Sequence, residues 1–283
     1  MDREPLAPGL YLVSTPLGNL GDLSDRARET LSRASFIAGE SSKAVLRWLE
    51  ILGPWKESKP GVLTYRESRR EGDEKRILQL LSEGASVALI SDAGLPCISD
   101  PGWQLVDSVR NEGHKVELVP GPCAAVSALA LSGFPSRTFY FQGFVPASGR
   151  HRRETLKRVM ATECPVIIYE GPHRLLDLLR DLCELEAERR VFISREMTKL
   201  YEESWRGTLA QAASEWPDKT VKGEFSLVLG PRERVIEHDP GEVPAETLEV
   251  VRGLGLPTKQ ATALLKHFFP SANKKELYRS LTR

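Results

Sequence analysis

SVALISDAGLPCISDPGWQLV, residues 86–106, decides the fold. The apolar run SVALI breaks into a loop with two Ser-Asp pairs, Gly94, Pro96 and Pro101, and the chain resumes with the helical pattern WQLVDSVRNEG (103–113). A plain connector needs only a few turn residues. Two carboxylates in a short, proline-stiffened loop repel each other, and a bound donor-rich ligand offsets that cost. The stretch therefore reads as strand, ligand-holding loop and helix.

The same alternation extends to both sides. LYLVST (10–15) is a strand, TPLGN a loop, and SDRARETLSRA (24–34) a helix with Ser24 as N-cap. FIAGE (36–40) leads into a helix capped by Ser41 or Ser42, and VLTY (62–65) into DEKRILQLLSEG, closed by Gly84. KVELVPG (115–121) is a strand before the small-residue helix CAAVSALALSG (123–133). Strands alternating with helices predict a mainly parallel, helix-covered sheet. Such sheets bind ligands beyond the carboxyl ends of their strands. Four informative loops follow strands: TPLGN, SDAGLPCISDPG, PGPCAA and EGPHR.

The rhythm restarts near Gly133. TFYFQGFVP (138–146), PVIIYEG (165–171), RRVFISREM (189–197), YEESWRGTLA (201–210) and EFSLVLGP (224–231) are strand-like, with helices at RRETLKRVMAT and at PHRLLDLLRDL, where Pro172 lies near the start. Strands this close in sequence predict a mixed sheet. ERVIEHDPGEVPAE then reads as a charged linker before two or three short helices, basic at the end. The expected domains are 1–133, 134–234, and a linker with helical tail at 235–283.

The chain has 283 residues, 41% of them hydrophobic, and zero net charge, which excludes a strong non-specific nucleic-acid binder but not a local basic face. The four cysteines, at 97, 123, 164 and 183, show no CxxC pair and no metal spacing, so reduced thiols and no metal are expected. No signal-like or membrane-length apolar run occurs, and a soluble cytoplasmic protein without a membrane partner is expected. G-x-G-x-x-G after a strand, GxxxxGK[ST] and G-x-S-x-G are all missing. The loops instead offer backbone amides, carbonyls and a few carboxylates, which suit a small, zwitterionic, partly apolar ligand.

LYLVSTPLGNLGDLSDRARETL, LISDAGLPCISDPGWQLV, VPGPCAAVSALALSGFP, FYFQGFVP, IIYEGPHRLLDLL, REMTKLYEESWRGTL and KGEFSLVLG, in this order, resemble the ribosomal RNA small subunit methyltransferase I family. The tail LPTKQATALLKHFFPSANKKELYRSL resembles that family's helix-turn-helix-like C-terminal segment. The resemblance implies the two-domain α/β tetrapyrrole-methylase (class III SAM methyltransferase) fold. It implies S-adenosyl-L-methionine (SAM) between the domains, a homodimer, and 2′-O-methylation of a decoding-centre cytidine in 16S rRNA of the small ribosomal subunit. It places the cofactor against Pro16, Asp92, Gly94, Ile98, Ser99, Asp100, Cys123, Ala124, Tyr169 and Phe225.

A base that removes the hydroxyl proton would help such a transfer. The candidates are Glu67, Glu196, Lys199 and Glu40, with REMTK as the most attractive cluster. Arg66, Arg69, Arg70, Arg152, Arg153, Arg195, Lys274 and Lys275 are the candidate RNA contacts, because arginine and lysine hold phosphate. Two runs depart from the family pattern. GESSK (39–43) stands for an acid-Asp-Thr-Arg run, and YRESRR (65–70) for a His-Glu-His-Asn run. Two other readings stay open: a tetrapyrrole or precorrin methyltransferase of the same fold, and a ribosome-binding paralogue without catalysis.

Overall fold

The computed structural model describes residues 6–53, 59–232 and 243–282. The first half of the chain alternates β1 (Gly9–Val13), α1 (Asp25–Arg33), β2 (Phe36–Gly39), α2 (Ser42–Leu52), β3 (Gly61–Thr64), α3 (Arg70–Ser82), β4 (Ser86–Leu89), α4 (Trp103–Asn111), β5 (Val116–Val119) and α5 (Ala124–Ser132). Its five strands form a sheet in the order β3-β2-β4-β1-β5, and every pairing is parallel. Strand alternation sorts the side chains onto two faces. Tyr11, Val13, Ile37 and Ala88 pack with α1 and α2 through Leu31, Val45 and Leu49. Leu10, Ala38, Val87 and Leu89 pack with α3 and α4 through Ile77, Leu81, Leu105 and Val109.

The caps fall where the sequence placed them. The Ser24 hydroxyl accepts from the Ala27 amide, and Ser41, not Ser42, accepts from the Ala44 amide. Gly84 follows α3 at φ 86, a left-handed position that glycine adopts without strain.

The second half runs β6 (Tyr140–Phe144), α6 (Gly149–Ala161), β7 (Val166–Glu170), α7 (Leu175–Leu185), β8 (Arg190–Arg195), β9 (Glu203–Thr208), α8 (Leu209–Glu215) and β10 (Phe225–Leu229). The sheet order is β6-β7-β10-β8-β9. β6 and β7 are parallel, and β10 runs antiparallel to both β7 and β8, so the sheet is mixed. Two local expectations change. Pro172 lies in the turn before α7, whose N-cap is Arg174. Leu209 and Ala210, read as strand, instead start α8, because Thr208 at the end of β9 and Gln211 form a reciprocal capping box.

Gly133 closes α5 in the left-handed conformation. The helix itself packs on the second sheet: Ala125, Ala128 and Leu129 share a core with Ile167, Phe192 and Val228. Both sheets belong to one compact unit, Met1–Arg232. A second unit, Glu233–Arg283, holds α9 (Ala245–Gly253), α10 (Thr258–Phe268) and α11 (Lys274–Thr282). Its core is Val251, Ala261, Leu265, Ala272 and Leu277. The expected charged linker lies almost wholly outside the described residues.

Candidate active site

The loops named in the sequence converge. After β1 the chain turns through Thr15, whose amide donates to the Gly94 carbonyl at 2.8 Å while the Gly94 amide donates back to Thr15 at 2.9 Å. The Ser14 hydroxyl donates to the Pro122 carbonyl at 2.7 Å. The loops after β1, β4 and β5 are thus tied to one another. Cys97 and Ser99 hold positive φ values of 72 and 66. Non-glycine residues rarely do so, and such strain collects at ligand-binding segments. At the end of the loop, a Cβ at Gly102 (φ 143) would lie 2.7 Å from the Cys97 sulfur, so only glycine lets the loop fold back here.

These loops face the β6 and β7 ends and the start of β10 across a cavity of about 270 Å³. Leu17, Ile98, Ala124, Phe144, Tyr169 and Phe225 supply its apolar wall, and Asp100, Glu170 and Glu224 its carboxyls. No lysine, arginine or histidine lines it among the described residues. Tyr169 packs edge-on against Phe141 and Phe144, with ring centroids 5.2 and 5.8 Å away. Burial pushes its phenol pKa up, as does the Cys123 thiol, against a hydrogen bond from the Ala125 backbone.

Of the residues expected at the cofactor, Gly94, Ile98, Ser99, Asp100, Cys123, Ala124, Tyr169 and Phe225 line this cavity. Pro16 is buried and Asp92 exposed, and neither is among the lining residues. Sequence reading missed Leu17, Phe144, Glu170 and Glu224. Glu170 carried a signal, since it is an acid that closes the apolar strand VIIY at the start of the EGPHR loop. Its side chain is 0% exposed and paired with Arg174.

None of the expected bases Glu67, Glu196, Lys199 and Glu40 is among the lining residues. Glu67 is exposed, in a short 3-10 turn before α3. Lys199 Nζ is 2.9 Å from both Glu196 and Glu224, and the Glu224 amide donates to Glu196 at 2.9 Å. Burial pushes the Glu196 carboxyl up, but the Lys199 and Glu224 hydrogen bonds and the Lys199 and Arg195 charges outweigh it and hold it below the usual range. The Lys199 stem crosses Gly18, and the Glu196 carboxyl lies against Gly223. This turn therefore clamps the first loop to the segment entering β10. Lys199→Met should lower the melting temperature by a few degrees, measured by circular dichroism, because it leaves two carboxylates facing each other.

The basic candidates also divide. Arg66, Arg69, Arg153, Lys274 and Lys275 are exposed and Arg70 is half-buried. Arg152 is not at the surface: it is 8% exposed and its guanidinium is held by Asp181 at 2.7 Å and by the Pro146 carbonyl. Arg195 donates to the Lys222 carbonyl at 2.8 Å and pairs with Glu203. Both are spent inside the fold. Among the described residues no group of His, Cys, Asp or Glu could hold a metal ion, and no helix is long and apolar enough to cross a membrane.

The profile of the tetrapyrrole (corrin/porphyrin) methylases matches residues 9–213. Solved structures share the fold. Uroporphyrin-III C-methyltransferase from Thermus thermophilus, in complex with S-adenyl homocysteine, superposes with a TM-score of 0.55 at 20% identity over 78% of this chain and 97% of that one. Diphthine synthase gives 0.61 at 14% identity over 78% and 89%. The chain is a tetrapyrrole methylase by fold and profile. Closer relatives narrow this. Ribosomal RNA small subunit methyltransferase I of Thermotoga maritima is 43% identical over 79% of this chain and 99% of its own length. That of Halalkalibacterium halodurans is 42% identical over 89% and 87%, and that of Escherichia coli O157:H7 is 36% identical over 90% and 88%. This chain belongs to the ribosomal RNA small subunit methyltransferase I family.

Proposed function

We propose that this chain is a SAM-dependent methyltransferase of the cytoplasm that methylates the ribose 2′-hydroxyl of a decoding-centre cytidine in 16S rRNA, acting on the small ribosomal subunit. The observation that carries the reading is the cavity: apolar on one side, acidic on the other, and free of basic side chains among the described residues. A polyphosphate ligand would meet no cationic side chain there, whereas a ligand with a flat aromatic part and a cationic centre meets complementary groups. The residues present fit SAM in this sense. Leu17, Ile98, Ala124, Tyr169 and Phe225 would enclose its base, and Asp100 and Glu170 would face its positive charge.

SAM supplies an electrophilic methyl group. The protein's part is to fix geometry, since alignment alone contributes a large share of the rate in an in-line displacement. The tied loops after β1, β4 and β5 and the Lys199–Glu196–Glu224 clamp hold the cavity rigid. Exposed Arg66, Arg69 and Arg153 are available to RNA phosphates. The His-free 65–70 loop would contribute charge and not chemistry. The intact cavity speaks against a paralogue that has lost catalysis, and the relatives' names against a tetrapyrrole substrate.

A homodimer remains part of the proposal. α5 buries Ala125, Ala128 and Leu129 but leaves Val126 and Leu131 49% and 53% exposed, an apolar outer side that a second copy would cover. Light scattering should give twice the chain mass.

The test of function is transfer. With methyl-labelled SAM and unmethylated small subunits, label should enter 16S rRNA, and primer extension at low nucleotide concentration should stop at a decoding-centre cytidine. Label elsewhere in the RNA would change the target, and bound SAM without labelled RNA would refute the substrate.

A further inference from the structure

Two carboxyl groups, Asp100 in the cavity wall and Glu40 outside it, make no salt bridge among the described residues. Glu40 directly follows β2 and Asp100 lies in the loop after the neighbouring strand β4, so that each carboxyl acts on the other's ionisation. Asp100 lines the cavity. The groups around the pair are Asp92 and the Ser91 hydroxyl from the same loop, the half-buried Cys97 thiol, and the Tyr169 phenol from β7. The nearby Arg66 guanidinium donates at 3.0 Å to the Glu40 backbone carbonyl. Burial, then the charge of Glu40, pushes the Asp100 carboxyl up to about 7. Burial, then the charge of Asp92, raises Glu40 as well, against its hydrogen bond with Asp100.

A second observation on the same cavity points to a cation. Glu170 Oε1 accepts from the Gly171 amide at 2.8 Å and pairs with Arg174. Its Oε2 is buried with no hydrogen-bond partner. A buried oxygen left this way keeps an unmet demand for a donor or a positive charge. The cavity thus holds unmet negative character that either protons or a cationic ligand can satisfy.

We propose that the Asp100–Glu40 pair exchanges its shared proton for the positive charge of the cofactor, and takes a proton back when the methyl group is transferred. The proposal rests on the SAM reading above. On ligand entry the pair releases its proton and faces the sulfonium as a carboxylate pair. In the transfer, the ribose oxygen forms its bond to the methyl carbon and the carbon–sulfur bond breaks, its electrons staying on sulfur. The hydroxyl proton passes to Asp100. The cavity then carries one positive charge before and after the reaction, first on sulfur and then as a proton between two carboxyls. Asp100 is the catalytic base in this scheme, and Glu40 is a positioning residue that keeps its proton affinity near neutrality.

The sign follows from linkage. Below about pH 7 the free pair is protonated, so binding a cation must expel a proton, and affinity rises with pH until the pair ionises on its own. Titration calorimetry in two buffers of different ionisation heat measures the protons released. At about pH 6, SAM should release close to one proton and S-adenosylhomocysteine, a neutral thioether, close to none. SAM affinity should fall about tenfold per pH unit below neutrality, while that of S-adenosylhomocysteine stays flat. Glu40→Gln should move the fall to lower pH, because Asp100 loses its negative neighbour. Asp100→Asn should abolish both the proton release and the pH dependence, with folding checked by its melting curve. SAM binding without proton release, at pH-independent affinity, would overturn the exchange and leave the cofactor site standing. Failure of both ligands to bind at any pH would overturn the cofactor reading and the exchange together.

Discussion

Gly94→Leu should weaken SAM binding at least about 100-fold, which corresponds to about 2.7 kcal/mol or more, while the protein stays folded. Gly94 lines the cavity at φ +83, and an ideal Cβ there would lie 3.1 Å from a Leu17 methyl. The backbone cannot turn away, because its amide and its carbonyl are both bonded to Thr15. A branched side chain must therefore enter the space the ligand needs. Forcing a non-glycine residue to positive φ costs about 1–3 kcal/mol, less than the stability of an ordinary domain. Calorimetric titration measures the affinity and a melting curve shows the fold. Gly94→Ala should fall between the two. Asp92→Ala should change affinity little, since Asp92 is exposed beside the cavity and not in its wall. A folded Gly94→Leu protein with unchanged affinity would remove the cofactor from this cavity.

Arg189→Met should destabilise the first unit by about 3–5 kcal/mol, lowering its melting temperature by about 10 °C. Arg189 is 4% exposed. Its guanidinium donates to the carbonyls of Met160 at 2.9 Å, Thr162 at 3.0 Å and Gly230 at 3.0 Å, with a longer contact to Val159. Three of these carbonyls belong to the last turn and end of α6, where an α-helix leaves carbonyls without amides. The cation also opposes the negative end of the helix dipole. Methionine fills the volume but donates nothing, so several buried acceptors lose their partner at once. Arg189→Lys should recover only part of the loss, because one ammonium cannot reproduce a planar fork. Methyl transfer by the folded fraction should be unchanged. A drop of less than about 3 °C would show that water replaces the guanidinium at little cost.

Much of the architecture was legible because local chemistry and global fold agree. Alternating apolar strands and amphipathic helices gave the parallel first sheet, and Ser24, Ser41 and Gly84 marked helix ends with side chains and backbone angles that have few other uses. The cavity wall was legible to the extent that it comes from loops directly after strands, where Gly94, Asp100 and Cys123 lie, or from the end of an apolar strand, as with Tyr169. Phe144 and Glu224 come from elements that meet the site only through sheet order, and sequence spacing carries no trace of that order. The arginines failed for a related reason. Arg152 and Arg153 are neighbours in a basic run, yet one turns inward to Asp181 and the other outward to solvent. Composition cannot separate them, because on a helix adjacent residues point about 100° apart. REMTK read as chemistry because its charges cluster, but the cluster satisfies itself.

The placement of α5 on the second sheet has a consequence for how the protein is made. The helix ends at Ser132, whereas β10, which supplies Val228 to its core, does not begin until Phe225. At about 5–20 residues per second, α5 leaves the site of synthesis several seconds before its cover is complete. For that interval only Ile167 and Phe192, on the earlier strands β7 and β8, are there to pack on it. A chain interrupted between the two sheets would keep that face exposed, and the two pieces would regain it only by finding each other. The two sheets look like modules in sequence, but they complete their folding as one.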